Sequence, residues 1–179
     1  ALASDCQTGT KEQNELDAAR EAVAQLILQP VQDGVTEAVT RLKQAIYDYR
    51  LSMASEDNPV DMTSLIANPS FEVKGTEGWT VDGMNVQSND FFNIKSGTTY
   101  MEKWTGREYM VGDCTLSQQV SLPNGRYRIT AAAQNIQENT PTKQQTGAFL
   151  FLDEQRTEVG VRGTYTLEAV VVENQATIG

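Results

Sequence analysis

The chain has 179 residues, 24 of them acidic and 14 basic, for a net charge of −10, and it contains no histidine. The scattered basic residues form no patch that could neutralise a run of phosphates, which argues against nucleic acid and anionic membrane surfaces as partners. Without histidine, the usual Ser-His-Asp and Cys-His nucleophile systems and His-ligated zinc or iron are excluded. No run of about 18 apolar residues is present, so no membrane-inserted helix is predicted.

At the start, Ala1 to Cys6 faintly resembles a lipoprotein cleavage site. It lacks an apolar run before the cysteine, and Asp5 is a poor neighbour for a lipidated one. It reads instead as the tail of a preceding helix. Leu16, Ala19, Val23 and Leu26 then recur at steps of three and four, one face of a helix. Thr10 and Gln13 fit the N-cap and N3 positions of a capping box, and Pro30 ends the helix. A second helix is predicted from about Asp33 to Met53. Val35, Val39, Leu42, Ile46, Tyr49 and Met53 make its apolar stripe, and Glu37, Arg41, Lys43, Gln44, Asp48 and Arg50 its polar face. Joined by a short connection, the two helices should pack antiparallel. Such a pair buries little, so a third helix or the following domain is expected to cover the rest of the seam.

The polar run Ser55-Glu56-Asp57-Asn58-Pro59 marks a boundary, giving a helical segment over 1–57 and a second domain over 58–179. Beyond it, period 2 replaces period 3.6. The Asp82-Gly83 pair suits a two-residue hairpin. Leu116, Gln118, Val120 and Leu122 line one face of a strand, and Pro123-Asn124-Gly125 makes a turn. On the returning strand Tyr127, Ile129, Ala131 and Ala133 face inward, with Arg126, Arg128 and Thr130 outward. Gly147 to Asp153 reads as a central strand, and Tyr165, Leu167, Ala169 and Val171 repeat the inward pattern. About eight or nine strands with no helix between them define an α+β chain: a helical hairpin or bundle, then an antiparallel β-sandwich of jelly-roll type. Ala176 to Gly179 reads as the beginning of a strand whose remainder is missing from the chain.

Several residues carry candidate chemistry. Trp79 is assigned to the core. Trp104 ends a strand and opens the loop through Tyr109. There Trp104 and Tyr109 can supply an aromatic platform for a sugar ring, with Arg107 and Glu108 as hydrogen-bonding groups. The alternative places Trp104 beneath the sandwich. Phe91-Phe92 either extends a binding surface or covers the helical segment. Asn135, Gln137, Glu138 and Asn139 form a polar cluster that is by default a solvated loop. Glycoside hydrolysis needs two carboxylates about 5–10 Å apart across a cleft. The pairs Glu102 with Glu108 and Asp153 with Glu154 stand in no context that would form one, so no catalysis is expected. Cys6 and Cys114 form either one disulfide or two separate thiols.

One stretch of motifs carries a resemblance. Asn68-Pro69-Ser70-Phe71-Glu72, Gly78-Trp79, Tyr100-Met101-Glu102-Lys103-Trp104 and the run from Leu116 to Tyr127 resemble the galactose-binding-like modules of secreted multi-domain proteins of Bacteroides-type bacteria. Many of these are carbohydrate-binding modules attached to glycoside hydrolases. The stretch Leu42-Lys43-Gln44-Ala45-Ile46 looks like the FIVAR-type helical repeats found beside them. The resemblance implies a non-catalytic module that binds a poly- or oligosaccharide, sits beside linked domains of a longer chain and works in polysaccharide utilisation outside the cell or at its surface. A structural spacer or protein-interaction domain is the alternative. Such modules often hold a structural calcium ion between a glutamate early in the first strand and an aspartate of the last. Glu72 matches the glutamate, and the aspartate has no counterpart here. One carboxylate does not satisfy calcium.

Overall fold

The structure, a computed structural model, describes residues 5–28, 32–73, 75–105, 112–137 and 140–179; within the helical part, side chains are described for 10–25 and from 35 onward. The chain divides into two compact units, Ala1–Asp61 and Met62–Gly179.

The first unit is two helices, α1 (Asp5–Leu28) and α2 (Gln32–Ser52). α1 already includes Asp5 and Cys6, so Thr10 lies inside the helix rather than capping it, and Asp5 and Cys6 belong to this helix rather than to a preceding one; the rest of the expected helix tail, Ala1 to Ser4, lies outside the described residues. Leu16 and Ala19 are buried against Ala45, with Leu42, Ile46 and Tyr49 packed alongside. Residues at similar distances from the connection meet, as in an antiparallel hairpin. The buried stripe of α2 is rotated from the one its sequence suggests. Ala38 and Ala45 are buried, whereas Val35, Val39 and Met53 are exposed. Alanine lets two helix backbones approach closely, and the larger valines are left beside the contact. Among the described residues no helix is long and apolar enough to cross a membrane.

The second unit opens with a short 3-10 turn, Thr63–Leu65, followed among the described residues by nine strands: β1 (Thr80–Asp82), β2 (Asn85–Gln87), β3 (Tyr100–Glu102), β4 (Thr115–Val120), β5 (Gly125–Ala133), β6 (Ala148–Leu152), β7 (Gln155–Val159), β8 (Gly163–Val171) and β9 (Ala176–Ile178). They form a five-stranded sheet in the order β1-β4-β9-β6-β7 and two ribbons, β2-β3 and β5-β8. Every pairing is antiparallel.

Two turns do something the sequence does not announce. Asp82-Gly83 closes no hairpin: β1 before it pairs with β4, and β2 after it pairs with β3. Pro123-Asn124-Gly125 likewise sends the chain from β4 in the large sheet to β5 in the β5-β8 ribbon. Tyr127 fixes that crossing by donating its hydroxyl to the Pro123 carbonyl at 2.7 Å. Tyr165 repeats the device at the start of β8, donating to the Val161 carbonyl.

One hydrophobic cluster draws on both the large sheet and the β5-β8 ribbon. Val120, Leu150, Leu152, Val159, Ala176 and Ile178 come from the sheet, and Leu167, Ala169 and Val171 from β8, with Tyr127, Ile129, Ala131 and Ala133 of β5 packed against them. The alternation expected for β5 and β8 is therefore observed. The ribbon's outer face carries an ionic fork, in which Arg126 and Arg128 both reach Glu168 at 2.7 Å and hold its carboxyl below the usual range.

Candidate functional site

The ribbon β2-β3 leads into Trp104, which among the expected platform residues is the one whose side chain is described. Tyr100 begins β3 with its ring buried against Phe92, 5.3 Å between centroids. Its hydroxyl donates to Asn89 Oδ1 at 2.9 Å, and burial followed by the nearby Glu102 carboxylate raises its pKa. The loop between the two strands is pinned by Arg162, which donates to Asn93 Oδ1 at 3.0 Å and Gln134 Oε1 at 2.8 Å. Its guanidinium also lies 4.8 Å from the centre of the Phe91 ring. Phe91-Phe92 is therefore a bent loop rather than a strand, with Phe92 buried. β3 stops at Glu102, so strand alternation no longer governs the residues after it. Trp104 turns outward, 62% exposed, on this anchored base. Arg107, Glu108 and Tyr109, the other members of the expected platform, lie outside the described residues.

Glu72 does not sit in a first strand. It lies in the wound segment that precedes β1, where Asn68 and Phe71 both take positive φ. Asn68 ties that segment together: its side-chain amide donates to the carbonyls of Val73 and Gly75 at 2.8 and 2.9 Å. The Asn68 carbonyl in turn accepts from the Trp79 indole at 3.2 Å. Trp79 packs on the core as expected, beside Phe71 at 5.4 Å. The Glu72 carboxylate accepts from the backbone N–H groups of Thr98 and Thr99, at 2.7 and 2.8 Å, and from their hydroxyls, at 2.6 and 2.8 Å. Gly97 permits this approach, because a Cβ there would collide with the carboxylate. Calcium needs six to eight oxygen ligands. Here backbone N–H donors face the carboxylate, and among the described residues no group of three acidic, cysteine or histidine side chains stands together. This surrounding fits a hydrogen-bonded clasp and does not fit a calcium ion.

The four donors, led by the Thr98 hydroxyl, lower the Glu72 pKa from 4.5 to about 2. A carboxyl depressed in the folded state stabilises the fold above its unfolded pKa, and this is lost as pH falls through the folded value. Between pH 4.5 and about 2, wild type should therefore lose stability more steeply than Glu72→Gln. Urea midpoints taken across that window would test this, and parallel curves would show that the clasp carries no such linkage.

The sequence reading missed a second exposed aromatic feature. The hairpin β6-β7 forms an open depression of about 530 Å³ lined by Phe149, Phe151, Asp153, Glu154 and Arg156. The Arg156 guanidinium lies 5.0 Å from the centre of the Phe149 ring. The signal was the Phe-x-Phe spacing interleaved with Leu150 and Leu152: the leucines fill the core, so the phenylalanines must face outward. Asp153 and Glu154 are adjacent at the corner of this hairpin rather than across a cleft, and Asp153 Oδ1 accepts from the Thr177 N–H at 2.7 Å. Of the pair Glu102 with Glu108, only Glu102 is described. In the polar cluster, Asn135 spends its side-chain amide on the Thr146 carbonyl at 3.1 Å; Gln137 is exposed, and Glu138 and Asn139 lie outside the described residues. Cys114 is a half-buried free thiol, and the side chain of Cys6 is outside the described residues. Compared with protein families, curated proteins and solved structures, the chain matches none.

Proposed function

We propose that Met62–Gly179 is a jelly-roll β-sandwich serving as a non-catalytic carbohydrate-binding accessory module, with the helical hairpin as its spacer. It would act outside the cell or at its surface, keeping linked domains near a poly- or oligosaccharide. The observation that carries this reading is Trp104, a large ring 62% exposed on an anchored ribbon. Exposed indoles are favoured contact surfaces at interfaces, and the C–H face of a pyranose is a suitable partner for one. Binding is an equilibrium: stacking on the ring, with hydrogen bonds from neighbouring planar polar groups such as Arg107 and Glu108, and with Tyr109 extending the platform. Glycoside hydrolysis needs two carboxylates facing each other across a cleft, and of the pairs weighed, Asp153 and Glu154 are adjacent at the corner of the β6-β7 hairpin.

A glycan-array screen followed by titration of the best ligand tests the proposal. Trp104→Ala should weaken binding by roughly tenfold or more while leaving the fold intact. No binding to any glycan by a well-folded protein would favour a structural spacer or protein-interaction domain. The exposed Val170 and Val172 on β8 and just beyond it would then be the surface to examine.

A further inference from the structure

The strand β6 places aromatic rings where the sheet faces water. Leu150 and Leu152 are buried in the core, so Phe149 and Phe151 stand on the opposite face. An antiparallel sheet with one wet face alternates apolar residues inward and polar residues outward. β6 breaks that alternation at both of its outward-facing phenylalanines, and Phe149 is 43% exposed.

The partner strand β7 supplies charge. In register, Arg156 stands opposite Phe151 and Glu158 opposite Phe149. Asp153, Glu154 and Glu158 all belong to this hairpin, yet among the described residues Arg156 enters no ion pair. Its guanidinium lies instead 5.0 Å from the centre of the Phe149 ring. Two of the carboxylates are engaged by backbone groups. Glu158 Oε1 accepts from the Gly147 N–H at 3.1 Å, and Asp153 Oδ1 from the Thr177 N–H at 2.7 Å. Phe151 leans over Gly179, where a Cβ would stand 2.6 Å from its ring.

The depression lined by Phe149, Phe151, Asp153, Glu154 and Arg156 therefore holds two rings about 7 Å apart along one strand, a flat donor group and carboxylate acceptors. Its charges nearly cancel. An anion would meet Asp153 and Glu154, and a cation would meet Arg156. A neutral molecule with apolar C–H faces, and with hydroxyls that both donate and accept, gives every one of these groups a partner.

We infer that this depression is a second saccharide site, which takes a neutral oligosaccharide laid along β6 and shares no residue with the Trp104 platform. The inference rests on the reading of the second unit as a carbohydrate-binding module. Phe149 and Phe151 take the C–H faces of successive sugar rings. Arg156 donates to hydroxyls, and Glu154 and the second Asp153 oxygen accept from them. Stacking on Phe149 orders the guanidinium before the sugar arrives, so less side-chain freedom is lost on binding. Two weak sites on one unit hold a polysaccharide that spans both more tightly than either does alone.

The test titrates the full chain with cellotetraose, xylotetraose, mannotetraose and galactotetraose, and follows backbone amide shifts by NMR. At least one of the four should move the amides of Phe149, Phe151 and Arg156, and should still do so in Trp104→Ala. Phe149→Ala and Arg156→Gln should each weaken that response by on the order of tenfold. Both side chains are exposed, so the urea midpoints should stay unchanged. Shifts around Trp104 with the hairpin amides unmoved would overturn the second site and leave the first. No shift anywhere would overturn both. Hairpin shifts with the Trp104 region unmoved would support this site and remove the Trp104 platform. Tetragalacturonate moving the hairpin amides as strongly as the neutral sugars would overturn the assignment to a neutral ligand.

Discussion

Replacing Leu152 with alanine should destabilise the second unit by about 2–5 kcal/mol, the usual cost of deleting a buried leucine and leaving a cavity. Leu152 is 1% exposed and belongs to the layer it shares with Ile178 and Gln118. Its strand is held on both sides, by β7 and by β9, so the backbone cannot easily collapse into the space left behind. A loss of that size is a large fraction of a typical domain's total of about 5–15 kcal/mol. The readout is selective. The protein's 2 tryptophans, Trp79 and Trp104, both lie in the second unit, so their emission tracks its urea transition without the helices. A cost below about 1 kcal/mol, with a cooperative transition, would mean that this layer is not the tight core described.

Gln118→Leu should cost about 1–3 kcal/mol although it makes the side chain more apolar at nearly equal volume. Gln118 is a buried amide among aliphatic neighbours. Its Oε1 accepts from the Ala67 N–H at 2.7 Å, and its Nε2 donates to the Ala67 carbonyl at 3.0 Å. The pair imitates one rung of a β-ladder and fastens the segment before β1 to β4. Leucine fills the space and leaves both Ala67 groups unpaired. Because Trp79 is anchored on the neighbouring Asn68, its emission should shift to the red in the variant. Exchange at the Ala67 amide should also rise. Gln118→Glu separates the two bonds: it keeps an acceptor for the Ala67 N–H but sets a carboxylate against the Ala67 carbonyl, and should be worse than leucine. A leucine variant as stable as wild type would show that Ala67 finds other partners.

The parts of this fold that depend on local pattern were legible in the sequence. The 3.6 period placed α2 almost to its ends, and the alternation of β5 and β8 assigned their inward faces residue by residue. The stripe on α2 was less legible because periodicity names a face, whereas the partner decides which edge of it is buried. Here alanines at 38 and 45 drew the contact away from Val35 and Val39. Neither sheet crossing was legible: Asp-Gly and Pro-Asn-Gly specify a change of direction and leave open which strand the chain joins afterwards. Trp104 could be read as core or platform because its exposure depends on where β3 stops. Glu72 matched a motif by position, but its surroundings are set by Gly97, Thr98 and Thr99, far along the chain. Nothing in the sequence marked Arg162, whose partners Asn93 and Gln134 come from two separate loops.

The crossings at Asp82-Gly83 and Pro123-Gly125 have a consequence for how the molecule assembles. Because each turn sends the chain to a different sheet, most pairings join distant residues: Thr80 with Ser117, Gln118 with Ile178, Gly125 with Val171. Among the described residues, only β6 and β7 meet across a short corner, where Asp153 takes a positive φ. A chain that must close long loops before it gains contacts folds slowly, on the scale of milliseconds to seconds, whereas helical pairs form in microseconds to milliseconds. The two units therefore mature on different clocks. The helical hairpin completes early, and among the described strands the β6-β7 hairpin is the most local seed in the second unit. β9, the last strand in sequence and the middle one in space, can dock only after its neighbours are in place, so the centre of the sheet is among the last parts to form.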